Sequence, residues 1–169
     1  RPRGVFDQQT IADDYEIADL DFRVDSVTHT FTGDLSLMLR SPAGIGVDFV
    51  SLIDGLTDGG PGDNLVNMVV DDDVANTAAN DMVQATSAAA PYTKSWLPVF
   101  NSPWAALAGF PPADPVGNLS RYDGTSTKGT WTAHASDQFA GDVGTLNSWS
   151  ILVTPVHFDC TAFVATSGI

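Results

Sequence analysis

Between Arg40 and Lys94 the chain carries eight aspartates, Asp48, Asp54, Asp58, Asp63, Asp71, Asp72, Asp73 and Asp81, and no lysine or arginine. Such carboxylates either spread over a solvated face, where a like-charged pair costs only about 1 kcal/mol, or converge on a cation. Asp71-Asp72-Asp73 is the sharper candidate, because it follows the strand-like run Leu65 to Val70 and so sits where a strand enters a loop. Carboxylates gathered there raise one another's pKa unless a cation neutralises them. Calcium suits these donors, since its pliable oxygen shell accepts Asp, Asn and backbone carbonyls. Zinc does not, because His29, His134 and His157 are scattered and Cys160 is the one cysteine. No EF-hand loop can be written, as no closing Glu is present. A site must therefore be assembled from separate loops: the Gly33-Asp34 turn, the Asp71 triplet, and Gly141-Asp142-Val143-Gly144 with Asp137 upstream.

Catalytic constellations are weaker. Gly124-Thr125-Ser126 echoes the tripeptide around a subtilase nucleophile, but Lys128-Gly129 breaks the helix that would hold such a serine. His29 is a general base by type, yet it lies at a strand end, where a hydrogen-bonded structural histidine is the commoner outcome. Any two aspartates could form a glycosidase pair, and nothing in the spacing selects one. The reading is that no residue is catalytic.

The elements that must position the acids are strands. Leu20, Phe22 and Val24 alternate with Asp21 and Arg23, and Leu35, Leu37 and Leu39 alternate with Ser36 and Met38. That period of two marks half-buried antiparallel strands. The two segments are joined through His29 to Gly33, and the second ends at the turn sequence Ser41-Pro42-Ala43-Gly44. Further strands are predicted at Val47 to Leu52, Leu65 to Val70, Gly129 to Ser136 and Leu146 to Val153. The interval from Asn76 to Asp123 shows no sustained period and reads as long loops, with one helical turn near Pro103 to Leu107. Many short strands between Gly, Pro and Asp turns predict an all-β, jelly-roll-like antiparallel β-sandwich. Trp131 and Trp149 fall on apolar strand faces and read as core, while Trp96 and Trp104 fall in loops.

Composition agrees. Of 21 acids, only Glu16 is Glu, and Lys94 and Lys128 are the only lysines, so good charged helix formers are nearly absent. A length of 169 residues with 43% hydrophobic content suits one domain. The formal net charge of −14 excludes a nucleic-acid partner and an anionic membrane surface, both of which need clustered bases. No stretch approaches the roughly 20 apolar residues of a membrane helix, and Arg1-Pro-Arg-Gly lacks a signal-peptide core, so a mature or excised fragment is expected. A single cysteine leaves a metal as the plausible staple.

Six words occur in order along the chain: Thr28-His29-Thr30-Phe31-Thr32-Gly33-Asp34-Leu35-Ser36, Ser41-Pro42-Ala43-Gly44, Gly62-Asp63-Asn64, Asp71-Asp72, Gly129-Thr130-Trp131, and Gly141-Asp142-Val143-Gly144-Thr145-Leu146-Asn147-Ser148-Trp149-Ser150. Together they resemble the P domain, the β-sandwich module that follows the catalytic domain in kexin-like proprotein convertases and many secreted bacterial subtilisin-like proteases. The resemblance runs from about Tyr15 to Val153, and the final word is the most specific. It implies a non-catalytic accessory module of a secreted, extracellular protein, partnered in cis by a catalytic domain that it helps to fold, stabilise or position. It also implies calcium, with Asp34, Asp71, Asp72 and Asp142 matching the acids of its words. With their neighbours the expected ligand set is Asp34, Asp63, Asp71, Asp72, Asp73, Asp137 and Asp142. The expected layout is a lead-in at 1–14, the module at 15–154 and a tail or extra strand at 155–169, with Gly109 to Gly124 as an insertion. The rival reading is an adhesion or substrate-binding module that docks an extracellular polysaccharide or insoluble protein through Trp96, Trp104 or the Phe110 to Tyr122 loop.

Overall fold

The computed structural model describes residues 3–51, 62–81, 87–98, 119–137 and 139–157, with backbone alone at 3, 47–51 and 87. The strands are β1 (Arg3–Ile11), β2 (Ile17–His29), β3 (Leu35–Arg40), β4 (Gly46–Ser51), β5 (Leu65–Val70), β6 (Tyr92–Trp96), β7 (Gly129–Asp137) and β8 (Gly144–Pro155). They form two four-stranded sheets, ordered β1-β7-β3-β4 and β6-β5-β2-β8, packed as a sandwich. β2 does what its period dictates, whereas β3, expected to be half-buried, is buried on both faces, with Ser36 and Met38 as inaccessible as the leucines between them. Leu20, Phe22 and Val24 of one sheet and Leu37 and Leu39 of the other are all buried in a common core.

The strands joined through His29 to Gly33, β2 and β3, lie in opposite sheets, and the short helical turn Thr32–Asp34 carries the chain across. The second sheet is mixed rather than purely antiparallel, because β6 runs parallel to β5. Parallel pairing needs a long crossover, and residues 71–91 supply one. The expected helical turn near Pro103 to Leu107 lies outside the described residues, as do Trp104 and the tail from residue 158.

Residues 3–11, expected as lead-in, pair along their whole length with β7, from Arg3 opposite Asp137 to Ile11 opposite Gly129. Asp7 and Gln9, though exposed, reach the other sheet, with Trp149 Nε1 donating to Asp7 Oδ2 (2.8 Å) and Gln9 Nε2 donating to the Trp149 carbonyl (2.8 Å). Trp131 and Trp149 are both buried, one on each sheet, and Trp149 stacks on Phe22 with ring centroids 5.8 Å apart. Trp131 meets Tyr122 edge-on at 5.4 Å, and its indole donates to the Thr127 carbonyl (2.8 Å). Tyr122 in turn donates its hydroxyl to the Leu39 carbonyl (2.7 Å), so the 119–122 turn plugs the sandwich at the end where β2 begins.

Because Trp131 is wholly buried and its indole is hydrogen-bonded, Trp131→Ala should cost about 3–5 kcal/mol in urea unfolding. Phe139→Ala, at a ring 61% exposed, should stay within about 0.5 kcal/mol of the parent.

Candidate functional site

The expected ligands separate to the two ends of the sandwich. At the end where β2 begins, Asp71, Asp72 and Asp73 follow β5 directly, as their place after an apolar run requires. The Asp73 amide donates to Asp71 Oδ1 (2.9 Å), folding the triplet into an Asx turn, and the Asp71 amide donates to the Trp96 carbonyl (3.0 Å). Asp72 Oδ2 accepts the Ser120 amide (3.2 Å), tying the triplet to the 119–122 turn. Three further acids meet it there. Asp19 and Asp21 lie on the outward face of β2, one residue out of phase with buried Leu20 and Phe22, and Asp123 follows the 119–122 turn.

The electrostatic result is clear at Asp21. Partial burial, then Asp71, Asp19, Asp72 and Asp73 in that order, push its carboxyl up to about 7. Asp19 and Asp123 are raised for the same reasons, burial first and neighbouring carboxylates second. The sequence reading found the triplet and missed these partners. The signal was present, because Asp19 and Asp21 alternate with core residues on the strand that pairs with β5, with Phe22 opposite Val70.

At the other end, where β2 finishes, the sequence words interlock. His29 is 3% exposed. Its Nδ1 accepts the Phe31 amide (3.1 Å), its own amide donates to Asn64 Oδ1 (3.0 Å), and its carbonyl accepts the Asn64 amide (3.2 Å). Thr32 donates its amide (3.3 Å) and its hydroxyl (2.6 Å) to the Gly62 carbonyl. Asp63 is exposed between these two anchors. Gly144 pairs with His29, and a Cβ there would stand 2.3 Å from His29 Cδ2 and 2.6 Å from the Thr28 carbonyl oxygen, so only glycine fits. Thr30 donates to Asp142 Oδ1 (2.6 Å), holding the 139–144 loop over the strand end. Asp34 is nine-tenths buried in the helical turn, and burial with Asp137 and Asp142 raises its pKa against the opposing pull of His29. A cleft of about 500 Å³ opens beside this cluster.

The structure thus brings Asp71, Asp72 and Asp73 together at one end and Asp34, Asp137 and Asp142 within electrostatic reach at the other. Among the described residues no three His, Cys, Asp or Glu side chains converge as a finished metal-ligand set. The hydroxyl of Ser126 donates to Asp14 Oδ1 (2.6 Å) and accepts the Lys128 amide (3.0 Å), which are structural contacts. Trp96 is not in a loop but in β6, 4% exposed, with its indole donating to the Thr93 carbonyl (2.6 Å) and Lys94 Nζ 4.3 Å above its ring.

A raised carboxyl makes folding bind protons, so its stabilising contribution is present at low pH and lost as pH climbs from the ordinary carboxylate range through about 7. Asp21→Asn removes that titration. Thermal melts from pH 4 to pH 7 should show the parent losing several degrees relative to Asp21→Asn. Parallel curves for the two proteins would contradict the crowding at this end.

No protein-family model matches the chain, and no curated protein matches it. Among solved structures the chain is similar to the serine protease of Aeromonas sobria, alone (TM-score 0.39) and in complex with the chaperone ORF2 (TM-score 0.38), each at 13% identity. Each likeness covers 92% of this chain and 23% of that one, so the chain spans about a quarter of the length of the proteins it matches.

Proposed function

We propose that this chain is a non-catalytic accessory module of the P-domain kind, working outside the cell beside a subtilisin-like catalytic domain of the same parent protein, and stabilised by calcium. The observation that carries the reading is where the resembling words lie. His29, Thr32, Asn64, Asp142 and Gly144 come from three distant words and fasten one end of the sandwich, His29 to Asn64 and against Gly144, Thr32 to Gly62, and Asp142 through one oxygen to Thr30. Trp131 and Trp149, from the last two words, fill the core. Residues so used specify a scaffold, which supports a stabilising or positioning role. The rival reading, docking of a polymer through aromatic side chains, loses Trp96 and Tyr122 to the core. Trp104 and Phe110 lie outside the described residues.

Calcium fits the chemistry of the end where β2 begins. Asp19, Asp21, Asp71, Asp72, Asp73 and Asp123 are hard oxygen donors, and partial burial together with repulsion from Asp71, Asp19, Asp72 and Asp73 already drives Asp21 toward the neutral form. These residues would hold the ion, and the ion would supply the missing positive charge. Because no finished ligand set stands among the described residues, backbone carbonyls and water would complete its shell, which calcium tolerates better than magnesium.

The role is tested in the parent protein. Its reading frame should encode a Ser-His-Asp catalytic domain, and deleting this segment should abolish accumulation of the folded protease. A parent without a protease domain, or full protease activity after the deletion, overturns the reading. The calcium proposal is tested by melts at pH 7. Chelation should lower the melting temperature by several degrees and calcium should restore it better than magnesium, since an ion at a hundred times its Kd adds about 2.7 kcal/mol. Asp72→Ala should erase this response while Asp142→Ala, at the opposite end, should keep it. A melting temperature indifferent to calcium would leave the six acids as a solvated face.

A further inference from the structure

The cleft at the end where β2 finishes makes three demands on a ligand, although one oxygen of each of its carboxylates is already bonded, Asp137 Oδ1 to the Phe139 amide (3.1 Å) and Asp142 Oδ1 to the Thr30 hydroxyl (2.6 Å). Its walls are apolar, formed by Val5 of β1, Val27 of β2, Leu35 of β3 and Leu146 of β8, and exposed Phe139 and Val143 extend that surface outward at 61% and 72%. Two carboxylates, Asp137 and Asp142, line it, and no lysine or arginine does among its described lining residues. His29 also lines the cleft, and its buried Nε2 has no hydrogen-bond partner among the described residues, with Asp137 Oδ2 4.0 Å away. Because Nδ1 accepts the Phe31 amide, Nε2 carries the hydrogen and is a donor without an acceptor. A buried donor left in that state costs free energy that a ligand oxygen would recover.

We propose that this cleft receives a lysine or arginine residue from an extended segment of a partner protein. Its methylene stem lies along the apolar walls, its cationic head faces Asp137 and Asp142, and a backbone carbonyl accepts from His29 Nε2. One ligand chemistry meets all three demands, and a cleft of about 500 Å³ is within the ordinary range for holding it. A purely apolar ligand would leave the carboxylates and the imidazole unmet. A bare metal ion would leave the walls unmet, and no ligand set for it is assembled among the described residues. The formal net charge of −14 favours approach of a basic partner from a distance. The inference is independent of calcium at the opposite end.

The test uses the full chain labelled with nitrogen-15 and four probes: N-acetyl-arginine amide, N-acetyl-lysine amide, the uncharged isostere N-acetyl-norleucine amide, and calcium. The basic amides should shift the amides of His29, Asp137 and residues 139–146, with norleucine amide about tenfold weaker. Asp142→Asn keeps an oxygen for Thr30, and combined with Asp137→Asn it should bring the basic probes down to the norleucine level. In the parent alone, raising salt should weaken the basic probes and leave norleucine unchanged, which keeps the test valid if the variant unfolds. Equal binding of norleucine amide, no shift with either basic amide, or these same shifts produced by calcium alone would each overturn the proposal.

Discussion

The fold turns on one close approach, the backbone of Gly144 against the imidazole of His29. No side chain fits between them, since a Cβ would sit 2.3 Å from the ring. The contact starts β8 at a fixed register on β2, with Gly144 opposite His29 and Trp149 opposite Val24. That register delivers Trp149 to its stack on Phe22 and its bond to Asp7, so the core, the edge strand β1 and the 139–144 loop all inherit their positions from it. Asn64 and Gly62 close the same end from β5. Segments far apart in sequence are thereby held without a disulfide, which one cysteine could not supply within the chain.

Charge is the second constraint. With 21 acids and seven bases, the chain cannot pair its carboxylates internally, and the core excludes them. Some bases are already engaged: Arg23 with Asp25, Lys128 near Asp14, and Lys94 over Trp96. Among the described residues, six aspartates crowd at the end where β2 begins and Asp34, Asp137 and Asp142 at the end where it finishes. The two ends then differ in surroundings. One is an array of aspartates around an Asx turn, which suits a small hard cation. The other sets two carboxylates on the lip of an apolar cleft, which suits a cation with a hydrocarbon stem. That difference in surroundings, rather than the number of acids, separates the two proposals.

Much of this was legible in the sequence. Strict alternation located the inward face of β2, because residues that bury one face must repeat every second position, and it placed Leu37 and Leu39 of β3 in the core but did not show that Ser36 and Met38 on its other face are buried too. The edge strand β1 escaped notice because residues 4–10 are all exposed and Val5 and Phe6 are adjacent, so no apolar period marks it. Its place comes from the ladder with β7 and from hydrogen bonds to Trp149. In β6, Tyr92 and Trp96 are buried but Lys94 between them takes a φ of 64°, and a strand of five residues with such a break shows no readable period. The acids Asp71 to Asp73 were legible because they are contiguous. Asp19, Asp21 and Asp123 were not, because only the pairing of β2 with β5 and the fold-back of the 119–122 turn bring them to the triplet. Sequence order could not supply the cleft either, since its lining comes from five strands in two sheets, β1, β2, β3, β7 and β8.

The central claim, that the words around His29, Asn64 and Gly144 form one fastening rather than separate features, is most directly tested by native-state amide hydrogen exchange in the parent and in Gly144→Ala. The account requires the amides of His29, Phe31, Thr32 and Asn64, each bonded within that end, to share one opening free energy and to lose protection together in the variant. Retained protection at Asn64 and Thr32 in a folded Gly144→Ala protein would show that the glycine contact does not hold that end, and would contradict the account.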